Sequence, residues 1–286
     1  VPLIIEKIYR SSILPTIKKS RVLSWMNTHA NLLMCKIIGL KLKKTFGGKL
    51  TFFGIGGAKL DTEVETFLLR AGFPYAVGYG LTETSPLLTF TVGKTRTPGS
   101  IGHTMKGVSL RLDNINPETG EGEIVAKGPN VMLGYYKDPE RTKKAFTEDG
   151  WFKTNDLACL DAKGRYYIKG RLSNMILGAS GENIYPEEIE QVINGIEDVD
   201  ESIIVPRNGK LVALVTFNEN TIDWNQEGED EFFRKIEAYK AKILSIVNKN
   251  VNRTSKVSDV QILKEPFEKT ATRKIRRFKY LHTQGL

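Results

Sequence analysis

The densest chemical signal in these 286 residues is the run Gly78-Tyr79-Gly80-Leu81-Thr82-Glu83-Thr84-Ser85-Pro86. Gly78 and Gly80 let backbone approach a flat or anionic ligand, Tyr79 offers a stacking face, Thr82 a donor to phosphate and Glu83 a carboxylate for Mg²⁺. Taken alone, the same spacing serves equally as a glycine-rich turn leading into a helix cap. Besides the basic tail from Lys269 to Arg277, three other segments combine glycine with polar or charged groups: Gly150-Trp151-Phe152-Lys153-Thr154-Asn155-Asp156, Tyr167-Ile168-Lys169-Gly170-Arg171, and Gly178 to Pro186. A further short one, Gly56-Gly57-Ala58, lies upstream.

Each has a bland reading beside its chemical one. Asp156 is a ligand carboxylate or a turn residue before a strand. Gly181 is a passage for a thin chain or a loop glycine. Lys274 is a charge for a phosphate centre or one of several solvated cations, with Arg273, Arg276, Arg277 and Lys279 around it. His29, His103 and His282 fall in no motif and read as structural, as do Trp25, Trp151 and Trp224.

The elements that must position these groups follow an α/β rhythm and then change. Residues 1 to about 46 place apolar side chains at helical spacing among many Lys and Arg, which predicts surface helices with basic outer faces. Leu50 to Phe53 reads as a buried strand running into Gly54-Ile55-Gly56-Gly57, Asp61 as the N-cap of a helix ending near Gly72, and Tyr75 to Val77 as a second strand. From about 100 to 170, short strands broken by Gly, Pro and Asn predict a small antiparallel sheet or distorted barrel. Beyond Arg171 come a β-rich loop, a helix opened by Pro186-Glu187-Glu188, a hairpin turning at Asn208-Gly209, and a long amphipathic helix marked by Phe232, Phe233, Ile236, Tyr239, Ile243 and Val247. A strand near Val260 to Leu263 precedes the tail. The fold class is therefore α/β followed by α+β, with domains at 1–171 and 172–286.

Lys and Arg number 42 against 33 Asp and Glu, an excess that suits phosphates, coenzyme A, nucleic acid or an anionic membrane without choosing among them. Nucleic acid is disfavoured, because the tail has no interleaved aromatic platform or helix-turn-helix pattern. No apolar run is long enough to span a bilayer, and no signal-peptide pattern is present. Cys35 and Cys159 stand far apart with no metal-ligand spacing, which fits a reducing, cytoplasmic setting. The opening Val1-Pro2-Leu3-Ile4-Ile5 reads like the middle of a longer chain.

Taken in order, the glycine-rich segments resemble the motif series of the adenylate-forming superfamily: acyl-CoA synthetases, firefly luciferase and peptide-synthetase adenylation domains. The likeness is strongest to bacterial long-chain fatty acyl-CoA synthetases, and Val1-Pro2 with Glu6-Lys7-Ile8-Tyr9 looks like a stretch of that branch. The resemblance implies the distal part of a large N-terminal adenylating domain, α/β with a small β-barrel-like region, followed by a small mobile C-terminal domain. It implies ATP, Mg²⁺ and coenzyme A as reaction partners of a long-chain fatty acid: the carboxylate attacks the α-phosphate to give acyl-AMP, and the thiol then displaces AMP. Residue by residue, it assigns Gly57, Ala58, Gly78 and Tyr79 to the adenine site, Gly80 to ATP/AMP binding, Thr82 to the α-phosphate, and Glu83 to Mg²⁺. Asp156 goes to the ribose hydroxyls, with Ile168 and Arg171 completing the nucleoside contacts, Gly181 goes to the pantetheine, Ser173 to the hinge and Lys274 to catalysis of adenylation.

Departures from the family pattern carry equal weight. Arg273 stands where the family usually has Gly, Glu268 where it often has Pro, and Ser173 where it commonly has Asp or Lys at the hinge. No Ser/Thr/Gly-rich loop ending in Pro-Lys-Gly, the family's triphosphate cradle, occurs in the 286 residues, so this piece is expected to be inactive by itself. Two rivals stay open: a ligase that loads a carrier protein, and a noncatalytic nucleotide-binding module. Acyl chain length, oligomeric state and peripheral membrane contact stay open too.

Overall fold

A computed structural model describes residues 2–178, 181–218, 221–222, 224, 229–271 and 274–281. They divide into two compact units, Val1–Lys169 and Gly170–Leu286. His282 and Arg273, singled out above, lie outside the described residues.

The first unit opens with helices α1 (Pro2–Ile8), α2 (Leu14–Lys19), α3 (Arg21–His29) and α4 (Asn31–Thr45), the first two joined by a π-helical turn over Tyr9–Ile13. Ile5, Tyr9, Ile13 and Ile17 are all buried at a uniform spacing of four. A regular α-helix would rotate such a row off one face, and the wider π turn takes up the drift. Strand β1 (Phe53–Ile55) is parallel to β2 (Tyr75–Tyr79), with α5 (Thr62–Arg70) as the crossover between them. As expected, Asp61 caps α5: its carboxylate accepts the Glu63 and Val64 backbone N–H groups at 2.8 and 3.0 Å. The strand expected from Leu50 starts instead at Phe53, which donates its N–H to the Pro74 carbonyl. Proline has no N–H to return, so the parallel ladder cannot extend further back, and Phe52 is left 53% exposed.

β3 (Thr89–Phe90) and β4 (His103–Thr104) complete an open sheet in the order β1-β2-β3-β4. Behind it, the helix row packs with α5 around Val64, Phe67, Leu68, Phe73 and Tyr75. Of the small antiparallel sheet or distorted barrel expected over 100–170, the structure has the sheet and not the barrel, in the order β5 (Ser109–Asp113), β6 (Gly122–Lys127), β7 (Phe152–Leu160), β8 (Tyr166–Arg171). The short α6 (Pro139–Ala145) stands in the β6–β7 connection.

The second unit begins within β8. A two-residue ladder of β9 (Ile176–Leu177) and β10 (Asn183–Ile184) leads to α7 (Pro186–Asn194), with proline at its first turn as expected. β11 (Val199–Arg207) and β12 (Lys210–Phe217) form the expected hairpin, both Asn208 and Gly209 having positive φ. α8 (Glu229–Asn250) then crosses back to bring β13 (Val257–Ile262) parallel to β12, and α9 (Phe278–Leu281) ends the described chain. Ile236, Ile243 and Val247 of α8 are buried as expected; Phe233 is 59% exposed, off that stripe.

Candidate nucleotide site

In the first unit, β2 ends on the glycine-rich run. Parallel pairing of Ile55 with Val77 sets Gly56-Gly57-Ala58 beside Gly78-Tyr79, and Gly56 comes so close that an added Cβ would lie 3.0 Å from the Gly78 carbonyl oxygen. Gly80 tolerates no side chain, because its Cβ would fall 1.6 Å from the Pro86 carbonyl oxygen. The chain therefore doubles back tightly over Leu81 to Ser85, where Thr82–Thr84 form a 3-10 turn and Ser85 adopts φ 52°. Thr84, fully buried, holds this loop from inside: its hydroxyl accepts the Leu81 N–H at 3.0 Å and lies 2.9 Å from the Pro86 carbonyl. Thr82 faces solvent.

Tyr79 reaches across to the second sheet, donating its hydroxyl to Asp156 Oδ2 at 2.8 Å. Tyr79 and Ile168 both pack on the buried cluster of Ile124, Ala158 and Tyr166, so three of the expected nucleoside residues converge. Asp156 is only 7% exposed. Its turn is set by Asn155, at φ 63°, whose N–H donates to Glu123 Oε1 at 2.9 Å, and by the Asp156 N–H donating to Thr154 Oγ1 at 3.2 Å. Burial pushes the Glu123 carboxyl up, the Asn155 N–H opposes it, and the charges of Asp113 and Asp156 add to the rise.

Glu83 makes its contacts outside that cluster. Its Oε1 accepts the Tyr135 hydroxyl at 3.0 Å, and its backbone carbonyl accepts the Met132 N–H at 2.8 Å. Burial and then the Glu83 carboxylate push the Tyr135 phenol up, while Arg141, lying 4.0 Å over the ring, opposes them. Asn130 donates to the carbonyls of Thr84 and Leu87 at 2.7 and 2.9 Å. Asn130, Tyr135 and Glu123 escape a reading of the sequence because their partners lie decades of residues away and no local pattern marks them. Among the described residues no three His, Cys, Asp or Glu side chains gather into a metal-binding group. Glu83 supplies a single carboxylate, a donor set that fits Mg²⁺ held largely by phosphates and water.

The remaining expected residues belong to the second unit. Arg171 ends β8, and Ser173 lies in a 3-10 turn over Leu172–Asn174. Gly181 has φ 84° with nothing within 4 Å of an added Cβ, so backbone conformation alone demands glycine there. A cavity beside the same loop is lined by Gly178, Glu182, Lys210 and Lys256, without Gly181. Lys274 is exposed, and its N–H donates to Thr270 Oγ1 at 3.1 Å while its carbonyl accepts the Thr270 N–H at 2.8 Å. Three residues on, Arg277 makes a bidentate pair with both carboxylate oxygens of Glu190, which also accepts the Ile204 N–H at 2.7 Å. Of the basic tail, Arg277 is thus structural.

Residues 7–136 match the family model described as AMP-binding enzyme. The chain is 30% identical over 281 residues to the long-chain-fatty-acid–[acyl-carrier-protein] ligase AEE15, chloroplastic, of Arabidopsis thaliana, covering 90% of this chain and 38% of that protein. It is 39% identical over 206 residues to the long-chain-fatty-acid–CoA ligase heimdall of Drosophila melanogaster, covering 68% and 30% respectively. Among solved structures, ATP-bound MatB from Rhodopseudomonas palustris superposes with a TM-score of 0.65 at 29% identity, over 83% of this chain and 46% of that one. The chain thus spans less than half the length of each of these proteins. It belongs to the adenylate-forming, AMP-binding family of acyl-activating ligases.

Proposed function

We propose that the chain carries nucleotide and thioester chemistry of an AMP-forming ligase that activates a long-chain fatty acid and passes it to coenzyme A. The observation that carries this reading is the Tyr79–Asp156 hydrogen bond, which ties the glycine-rich turn to the acidic turn of a second sheet. That bond restrains the ring of Tyr79, which supports its reading as a face for adenine. Asp156 Oδ2 accepts that bond, and a carboxylate can accept several hydrogen bonds at once, which supports a role for it toward the ribose hydroxyls. Gly57, Gly78 and Gly80 keep the adjoining backbone free of side chains and Ala58 adds only a methyl, Ile168 supplies apolar packing, and Arg171 completes the nucleoside contacts. Thr82 offers its exposed hydroxyl to the α-phosphate.

Glu83, oriented by Tyr135, would hold Mg²⁺, which offsets phosphate charge when bound. Lys274 would lessen the repulsion between the acid's carboxylate and the α-phosphate as the carboxylate oxygen forms the new P–O bond and pyrophosphate departs. In the second step the sulfur of coenzyme A bonds to the acyl carbon, AMP leaves with the bonding electrons, and the thiol proton passes to solvent. Gly181 leaves a passage for the pantetheine arm, and Ser173 marks the hinge position.

A second reading, transfer to a carrier protein, draws on the acceptor named for the Arabidopsis relative. The deciding experiment offers the chain palmitoyl-AMP with either free coenzyme A or a phosphopantetheinylated carrier protein, a step that requires no triphosphate cradle. Thioester with coenzyme A above the uncatalysed rate supports the first reading, thioester only with the carrier supports the second, and neither removes both. No described helix is long and apolar enough to cross a membrane. A cytoplasmic setting rests on the free thiols of Cys35 and Cys159.

A further inference from the structure

The turn that carries Thr82 and Glu83 is curled by its own bonds but held in place by another segment. Thr84 fixes the curl: its N–H donates to the Leu81 carbonyl at 3.0 Å, and its buried hydroxyl ties Leu81 to Pro86. The carbonyls of Glu83, Thr84 and Leu87 are met from outside, by residues 130–132 in the connection between β6 and α6. The Met132 N–H reaches the first at 2.8 Å, and the amide NH₂ of Asn130 spans the other two at 2.7 and 2.9 Å. With the amide turned over, its oxygen would face two carbonyls, so the partners themselves assign its orientation. Gly128 makes room for this side chain: an added Cβ there would lie 2.9 Å from Asn130 Oδ1. That oxygen is buried with no hydrogen-bond partner among the described residues, a desolvation cost accepted where both N–H groups are in use. Farther along the same segment, Tyr135 donates to Glu83 Oε1, and its own N–H is held by Thr142 Oγ1 at 2.9 Å.

We infer that Asn130 is a positioning residue for phosphate recognition, holding the Thr82–Thr84 turn in the direction that presents the Thr82 hydroxyl to the α-phosphate. Thr82 has its side chain in solvent, and its carbonyl is bonded within the turn, to the Ser85 N–H at 3.3 Å. Its direction is therefore set by what grips the residues after it. A single bond would leave the turn free to swivel about that bond; two bonds from one planar amide, to Thr84 and to Leu87, remove the swivel. Tyr79 does not depend on this grip. Its carbonyl accepts the Leu88 N–H at 2.8 Å, and its ring is restrained by Asp156. Losing the Asn130 amide should thus separate recognition of phosphate from recognition of the nucleoside. This role rests on the nucleotide reading above for what Thr82 meets, whereas the restraint of the turn does not.

The test is calorimetric titration with adenosine and with AMP of the chain, of Asn130→Ala, of Thr82→Val and of the double variant. Asn130→Ala should weaken AMP by about 10-fold, the size of one hydrogen bond to a charged group, and leave adenosine unchanged. In the Thr82→Val background the same substitution should cost AMP less than about 2-fold, because the group it acts through is gone. Asn130→Asp, of equal size but with oxygens set against both carbonyls, should be at least as harmful as Asn130→Ala. Parallel loss of adenosine overturns the inference in favour of a mere prop for the fold, and so does an AMP loss that persists in full without the Thr82 hydroxyl. Amide exchange in the free chain needs no ligand: Asn130→Ala should speed Thr84, Ser85 and Met132 by about 10-fold or more and spare Thr91, whose N–H donates to the Val77 carbonyl. If the native chain binds neither ligand, the nucleotide reading falls and exchange alone decides whether Asn130 holds the turn. Unchanged exchange at Thr84 and Met132 overturns that role in either case.

Discussion

The two units carry their candidate groups in opposite ways. In the first, Tyr79, Asp156 and Glu83 are themselves partly or wholly buried, and each is held by a hydrogen bond to a side chain from another element. In the second, Gly181 and Lys274 lie in solvent, and the order behind Lys274 comes from Glu190 and Arg277, which touch nothing reactive. Preorganised dipoles and faces suit recognition of a rigid nucleoside. A charge on a tethered but exposed tail suits a group needed for only one of two steps.

The buried glutamates sharpen this contrast. Among the described residues, Glu65, 2% exposed in the first unit, accepts only neutral donors, the Tyr75 hydroxyl at 3.2 Å and the Gly99 N–H at 2.7 Å. Glu190 in the second is paired with a guanidinium; burial pushes that carboxyl up against the pull of Arg277, and the carboxylate in turn keeps Arg277 protonated despite its own burial. Arg277→Met strands a buried carboxylate and should cost about 3 to 5 kcal/mol in urea unfolding of the second unit. Adding Glu190→Gln, whose carbonyl still accepts the Ile204 N–H, should return much of that stability. If Arg277→Met alone is silent, the tail is not anchored there.

A smaller effect separates backbone from channel at Gly181. Its positive φ means that Gly181→Ala should already cost about 1 to 2 kcal/mol. Gly181→Leu should cost a similar amount, since an added Cβ meets nothing within 4 Å, yet slow thioester formation further if pantetheine passes there. Equal rates for both variants would leave only the backbone role.

Much of this architecture was legible because its signals are local. Asp61 caps the helix that follows it, Pro186 opens α7, and Asn208-Gly209 turns the β11–β12 hairpin, each through bonds or dihedrals within a few residues. What stayed illegible depends on distant partners. Tyr135 meets Glu83 across 52 positions and Arg277 meets Glu190 across 87, and a tyrosine or an arginine in a basic tail announces neither. The start of β1 was misplaced for the same reason, since Pro74 on the neighbouring strand decides where the ladder begins.

Glu83 and Tyr135 test the first unit at finer scale. Tyr135→Phe removes one hydrogen bond to a carboxylate and should cost about 1.5 to 3 kcal/mol at most, seen as weaker Mg²⁺-dependent ATP binding with AMP binding unchanged. Loss of both would mean that the phenol supports the whole loop. The smallest effect is a slope. Burial raises the Glu65 carboxyl, the neutral donors opposing it, so the folded chain holds that proton more firmly than the unfolded one. The associated stability is present below the ordinary carboxylate range and is lost as pH rises through the raised value. Melts between about pH 5 and pH 8 should therefore fall less steeply in Glu65→Gln than in the native chain. Identical slopes would remove Glu65 as the source.

The nucleoside platform of Tyr79 and Asp156 is tested most directly by calorimetric titration of the chain and of Asp156→Asn with AMP and with 2′,3′-dideoxy-AMP. If Asp156 accepts the ribose hydroxyls, the substitution should weaken AMP by about 10- to 100-fold and leave the dideoxy nucleotide nearly unchanged. Equal loss for both nucleotides, or undiminished AMP binding, would contradict the assignment.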